Sequence, residues 1–118
     1  MGGRGPPVAT FRDLVSQYLA DMKNGLRTQN FMTVMRLFSE KAVLRVEKDG
    51  QEEQAFKTRD AILNFHKSLP RDLEQIKIKV IQEDMGKVTV TYLMGEKERK
   101  MIFAFDPARK IISARLQL

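Results

Sequence analysis

Residues 76–118 read IKIKVIQEDMGKVTVTYLMGEKERKMIFAFDPARKIISARLQL, and this stretch decides the fold class. Ile76-Lys77-Ile78-Lys79-Val80 alternates apolar and charged side chains, which is the period of a half-buried strand. A turn at Met85-Gly86 leads into Val88-Thr89-Val90-Thr91-Tyr92, which alternates again. Met101 to Phe105 follows the charged tip Gly95–Lys100, and Ile111 to Leu118 follows Asp106-Pro107, a good opening for a type I turn. Connections this short join neighbouring strands in opposite directions, so the stretch predicts an antiparallel meander of four strands.

The chain before it reads mainly as helix. Thr10 and Asp13 have the spacing of an N-cap and a carboxylate that reaches back to free amides. Behind them Phe11, Leu14, Val15, Tyr18, Leu19 and Met22 recur at three- and four-residue steps, and Asn24-Gly25 is the expected stop. A second helix is predicted from near Thr28, with Phe31, Val34, Met35, Leu37 and Phe38 on one face. Ala42 to Lys48 is strand-like, Asp49-Gly50 is a two-residue hairpin signal, and the return arm runs from Gln51 towards Phe56. Thr58 caps a third helix, Arg59 to Leu69, closed by Pro70. The order is α-α-β-β-α-β-β-β-β. It predicts an α+β domain over residues 10–118, with three helices on one face of a curved antiparallel sheet. Residues 1–9, rich in Gly and Pro, read as a flexible lead.

Composition narrows the chemistry. A chain of 118 residues with 42 % hydrophobic and 31 % charged residues suits one soluble globular domain. With no cysteine there is no disulfide, thiol nucleophile or zinc knuckle, and one histidine with scattered carboxylates predicts no metal site and no cofactor. The longest apolar run is Met101 to Phe105, too short to cross a bilayer, and MGGRGPP carries no apolar signal core. The expectation is an intracellular, soluble protein without a membrane role. The net charge of +6 is spread along the chain, with Lys97, Arg99 and Lys100 interleaved with Glu96 and Glu98. That pattern suits a solvated hairpin tip better than a nucleic-acid groove.

Four stretches resemble the nuclear transport factor 2-like superfamily, which includes ketosteroid isomerases and scytalone dehydratases. Val15-Ser16-Gln17-Tyr18-Leu19-Ala20 looks like the family's first helix. Leu37-Phe38-Ser39-Glu40-Lys41-Ala42-Val43-Leu44 resembles its junction into the first strand, although Lys41 stands where an acid is frequent. Thr58-Arg59-Asp60-Ala61-Ile62 with Phe65 looks like the start of its third helix. Phe103-Ala104-Phe105-Asp106 with Lys110 to Arg115 looks like its last hairpin. The resemblance implies a cone-shaped sheet around the helices, a pocket inside, and frequent pairing of domains through the outer sheet face.

Carried over residue by residue, the family's oxyanion tyrosine falls on Tyr18, its general base on Val46 and its second oxyanion acid on Met101. Neither replacement can exchange a proton, so ketosteroid isomerisation is not expected. Tyr18 lies on the apolar stripe and reads first as a packed core tyrosine. His66, one residue after Phe65, reads as a rim or surface histidine before a catalytic one. The implied pocket is apolar, lined by Tyr18, Leu44, Val46, Met101, Phe103, Phe105, Ile112, Ala114 and Leu116, with Tyr92 as a second polar handle. The outer face would show Thr89, Thr91, Leu93, Ile102, Ala104, Ile111, Ser113 and Arg115. Together these imply a noncatalytic binding or scaffold module with a small apolar ligand or none, paired as a homodimer or with a related domain. An isomerase- or dehydratase-like enzyme using other pocket groups is the second reading. A small basic subunit of a larger assembly, one that could contain RNA, is the third.

Overall fold

A computed structural model of the chain describes residues 10–48 and 51–118. The N-terminal lead and the Asp49-Gly50 turn lie outside the described residues.

Helix α1, Phe11–Thr28, starts on the expected cap. The Asp13 amide donates to the Thr10 hydroxyl and the Thr10 amide donates to the Asp13 carboxylate, each at 3.0 Å. Its stripe Val15, Tyr18, Leu19 and Met22 is buried and continues through Leu26, beyond the stop expected at Asn24-Gly25. Gly25 is there for contact. A Cβ at that position would stand 2.5 Å from the Phe31 ring, which packs against the bare helix backbone. Gln29 closes the helix instead, in the left-handed region at φ 64°, with its amide on the Gly25 carbonyl at 2.7 Å.

The second helix is shorter than predicted. Helix α2 covers Met32–Arg36, and strand β1, Phe38–Glu47, begins where the helical stripe was expected to continue. Sheet pairing decides this, because Phe38 sits opposite Ile111 and the Ile111 amide donates to the Leu37 carbonyl at 2.8 Å. Carbonyls around the end of α2 are met by cations. The Arg59 guanidinium donates to Met35 and Phe38, and the Lys110 ammonium to Arg36.

Strand β2, Gln54–Phe56, returns along β1, and Thr58 caps helix α3, Arg59–Lys67. A 3-10 turn, Arg71–Gln75, follows Pro70. Strands β3 (Lys77–Asp84), β4 (Lys87–Met94), β5 (Lys97–Phe105) and β6 (Ile111–Gln117) form the expected meander. The six strands make one open, curved sheet in the order β2-β1-β6-β5-β4-β3. The sheet is mixed. Every neighbouring pair is antiparallel except β1 and β6, which run parallel. The expectation of a wholly antiparallel sheet fails there because that pair joins strands with the rest of the domain between them, and no hairpin fixes its direction.

One bulge reverses two further expectations. Between the pairs Ala104↔Ser113 and Phe105↔Ile111 the register slips, leaving Ile112 as the extra residue. Ile111 therefore turns into the core at 1 % exposure, whereas Ile112 is only half-buried and outside the core cluster. The helices and the inner sheet face enclose a single apolar core. No helix among the described residues is long and apolar enough to cross a membrane.

Candidate functional site

Helix α1 delivers Tyr18 and helix α3 delivers His66 to the middle of this core, both at 0 % exposure. The two side chains meet at 2.8 Å, between the Tyr18 hydroxyl and His66 Nε2. His66 Nδ1 lies 2.8 Å from the Ile62 carbonyl. A carbonyl can only accept, so Nδ1 carries the proton and Nε2 accepts from the tyrosine. The imidazole ring is surrounded by Tyr18, Phe31, Phe38 and Phe65, with ring centroids 5.3 to 5.9 Å away. Burial lowers the His66 pKa to about 4, against the opposing pull of the Ile62 carbonyl. Burial raises that of Tyr18 far above its ordinary value, with a smaller push from Tyr92. Both groups are neutral at pH 7, and each satisfies the other.

His66 is thus a core residue rather than the rim or surface residue expected. Helix α3 packs on β1 and β2, where Phe56 covers Phe65 at 5.1 Å between ring centroids, and Tyr18 reaches across from α1 to His66, so both residues are buried. A polar ring is tolerated at that depth because both its nitrogens have partners. The spacing within α3 carries no trace of this, since the deciding contact comes from Tyr18, in another helix.

The remaining inward positions form rungs across the sheet. Val46, Leu116, Met101 and Val90 stand side by side in one, and Leu44, Ala114, Phe103 and Val88 in the next. All eight are at 1 % exposure or less. Phe105 is half-buried at the end of the core, stacked on Phe11 at 4.6 Å. The buried Tyr92 hydroxyl donates to the Gln117 carbonyl, and burial pushes its pKa up to about 12. No carboxylate appears among these core residues. Among the described residues no three His, Asp or Glu side chains are grouped to hold a metal ion. A surface cleft of about 700 Å³ lies between Met35, Phe38, Arg59 and Asp106, with none of Tyr18, Val46 and Met101 in its lining.

The outward positions fall as expected except for Ile111, which the bulge turns inward. Thr89, Ile102, Arg115 and Arg45 make one outer rung, and Lys87, Ala104, Ser113 and Val43 another. Thr91 and Leu93 continue the face on β4, with Thr91 already covered at 9 % exposure. A groove of about 250 Å³ runs between Arg45, Lys87, Ile102, Ala104, Ser113 and Arg115. Arg45 and Lys87 were not anticipated here. Arg45 reaches the face's centre only through the parallel pairing of β1 with β6, which no local sequence signal encodes.

Solved structures share this architecture. An NTF2-like protein from Anabaena variabilis ATCC 29413 superposes with a TM-score of 0.66 at 12 % identity, over 95 % of this chain and 92 % of that one. The epoxide hydrolase/cyclase-like enzyme SalBIII, of pyran ring formation in the polyether salinomycin, gives 0.61 at 17 % identity, over 91 % and 88 %. The chain has the nuclear transport factor 2-like fold. A de novo designed protein with a curved β-sheet also matches, with a TM-score of 0.67 at 18 % identity over 92 % and 84 % of the two chains. No family model and no curated protein matches the sequence. The nuclear transport factor 2-like fold therefore describes the architecture and leaves the activity to the site residues. Tyr18, Val46 and Met101, onto which the sequence resemblance carried the ketosteroid isomerase groups, are one buried hydroxyl engaged with an imidazole and two buried apolar side chains.

Proposed function

We propose that this chain is a noncatalytic docking module, with its interior serving as packed core and the outer face of its sheet as its working surface. One observation carries the reading. Tyr18, Val46 and Met101, the residues matched to the ketosteroid isomerase groups by sequence resemblance, are 0, 1 and 0 % exposed, and the tyrosine hydroxyl is engaged by His66. A proton cannot be taken from carbon without a base beside the substrate, and neither Val46 nor Met101 is one. The outer face has the opposite character. It sets Ile102, Leu93 and Ala104 among Thr89, Ser113 and cations, the mixture of apolar and polar groups found in docking interfaces.

Two measurements test this together. Ketosteroid turnover should stay at the uncatalysed rate, and rapid turnover abolished by Tyr18→Phe would overturn the reading. A benzophenone photo-crosslinker placed at position 102 in living cells should give adducts of discrete mass. The same group at the exposed Ser16, on α1, should give none.

A further inference from the structure

Arg45 and Arg115 stand directly opposite one another on the outer face of the β1–β6 pair, with side chains 41 and 52 % exposed. Like charges placed opposite one another across a sheet repel, and an anion between them relieves that repulsion. Glu53 supplies that anion incompletely. Its carboxylate oxygens lie 3.8 Å from Arg45 Nε and 3.3 Å from Arg115 Nε, and both contacts are longer than the two-pronged bonds a carboxylate makes with a guanidinium. The neighbouring groove adds the Lys87 ammonium, the Ser113 hydroxyl and the apolar surface of Ile102 and Ala104.

Building on the docking reading above, we propose that this groove binds an acidic, extended segment of a partner protein. One of its carboxylates enters between Arg45 and Arg115 and displaces Glu53. Ile102 and Ala104 then receive an apolar side chain of the same segment. A second copy of this chain fits less well, because its face would bring the same cations. Of the carboxylates on that face, Glu98 is held by Lys79 at 2.8 Å, Glu53 lies against the arginines, and Asp84 stands opposite Lys87. Single-stranded RNA would need aromatic platforms, and the residues of this face provide none.

Fluorescence anisotropy with a labelled decapeptide alternating Glu and Val tests the proposal, beside its Gln/Val counterpart and labelled decauridylate. The acidic peptide should bind, weaken as salt rises, and exceed the other two by at least about tenfold, the ratio expected of charge-assisted bonds. Arg45→Gln with Arg115→Gln should remove that preference, and Glu53→Gln should tighten binding several-fold. The Glu53 variant keeps both arginines, so its gain cannot come from misfolding. Equal binding of the Gln peptide, tighter binding of decauridylate, or no change in either variant would overturn the proposal. Crosslinks from position 102 that persist in the double arginine variant would leave the docking reading intact and reject the acidic segment. Their absence from the unsubstituted chain would reject the docking reading itself.

Discussion

The Tyr18 hydroxyl donates to Nε2 of His66 across 2.8 Å, and this bond joins α1 to α3 between two fully buried residues 48 positions apart in the chain. Each residue would be a liability alone. A buried imidazole with a free nitrogen, or a buried phenol with a free hydroxyl, costs about 1–3 kcal/mol. Together they are neutral, satisfied and inaccessible, which is why the geometry supports a structural role for a pair that resembles catalytic machinery.

The pair should make stability depend on pH. His66 has a folded pKa of about 4 against an ordinary 6.5. Below pH 6.5 the unfolded chain binds a proton that the folded chain refuses, so stability falls as pH drops from about 6.5 towards 4. The slope is about 1.4 kcal/mol per pH unit, or roughly 3 kcal/mol over the window, with full stability retained above it. Urea unfolding at pH 7, 5.5 and 4.5 measures this. The double variant Tyr18→Phe with His66→Leu should show a shallower fall than the parent, and equal slopes would contradict the assignment.

Tyr18→Phe alone should destabilise by about 1–3 kcal/mol at pH 7, because it leaves Nε2 buried without a donor. Adding His66→Leu should cost less than the sum of the two single changes, since the second removes a group already orphaned. Thermal melts of all four proteins give the coupling directly, and strict additivity would mean the bond contributes nothing.

Gly25→Ala tests the close approach of Phe31. In an open helix this change stabilises by about 1 kcal/mol. Here the new methyl would stand 2.5 Å from the ring, so the expected outcome is destabilisation, on the order of 1–3 kcal/mol from overpacking. Pairing it with Phe31→Ala should restore the usual sign.

Gly25 also shows where the sequence misleads. Asn-Gly after an apolar stripe is a local stop signal, yet the helix runs on because a ring several residues later needs the bare backbone. What was legible was local: the Thr10–Asp13 capping box, the Thr58 cap, the alternation of β4 and β5, and the inward facing of Val46 and Met101. What was hidden depends on partners distant in the chain. Phe38 leaves its helical pattern because Ile111 pairs with it, Ile111 and Ile112 exchange faces through a bulge, and Arg45 meets Arg115 through a parallel pairing. His66 belongs to the same class, since its burial is licensed by Tyr18 and its identity alone suggested the surface.

Val46 and Met101 give the last and most demanding test. They flank Leu116 on the same inner rung, from β1 and β5, which places them roughly 10 Å apart at two strand spacings. Changing both to Asp would put two carboxyls into an interior where these positions are 1 and 0 % exposed and whose core residues include no cation. Desolvation would raise their folded pKa values above the ordinary carboxylate range. The loss of stability should be a few kcal/mol at low pH, where both stay neutral. It should deepen as pH rises through the raised values, because the unfolded chain ionises first. Each comparison is made with the parent at the same pH, since His66 already weakens the parent below about 6.5. Ile102→Asp, one residue from Met101 on the outer face at 37 % exposure, is the control and should change little at pH 5 or pH 8. If the double variant melts like the parent at both pH values, Val46 and Met101 do not face the core, and the reading of this interior as a closed, catalytically empty core falls with them.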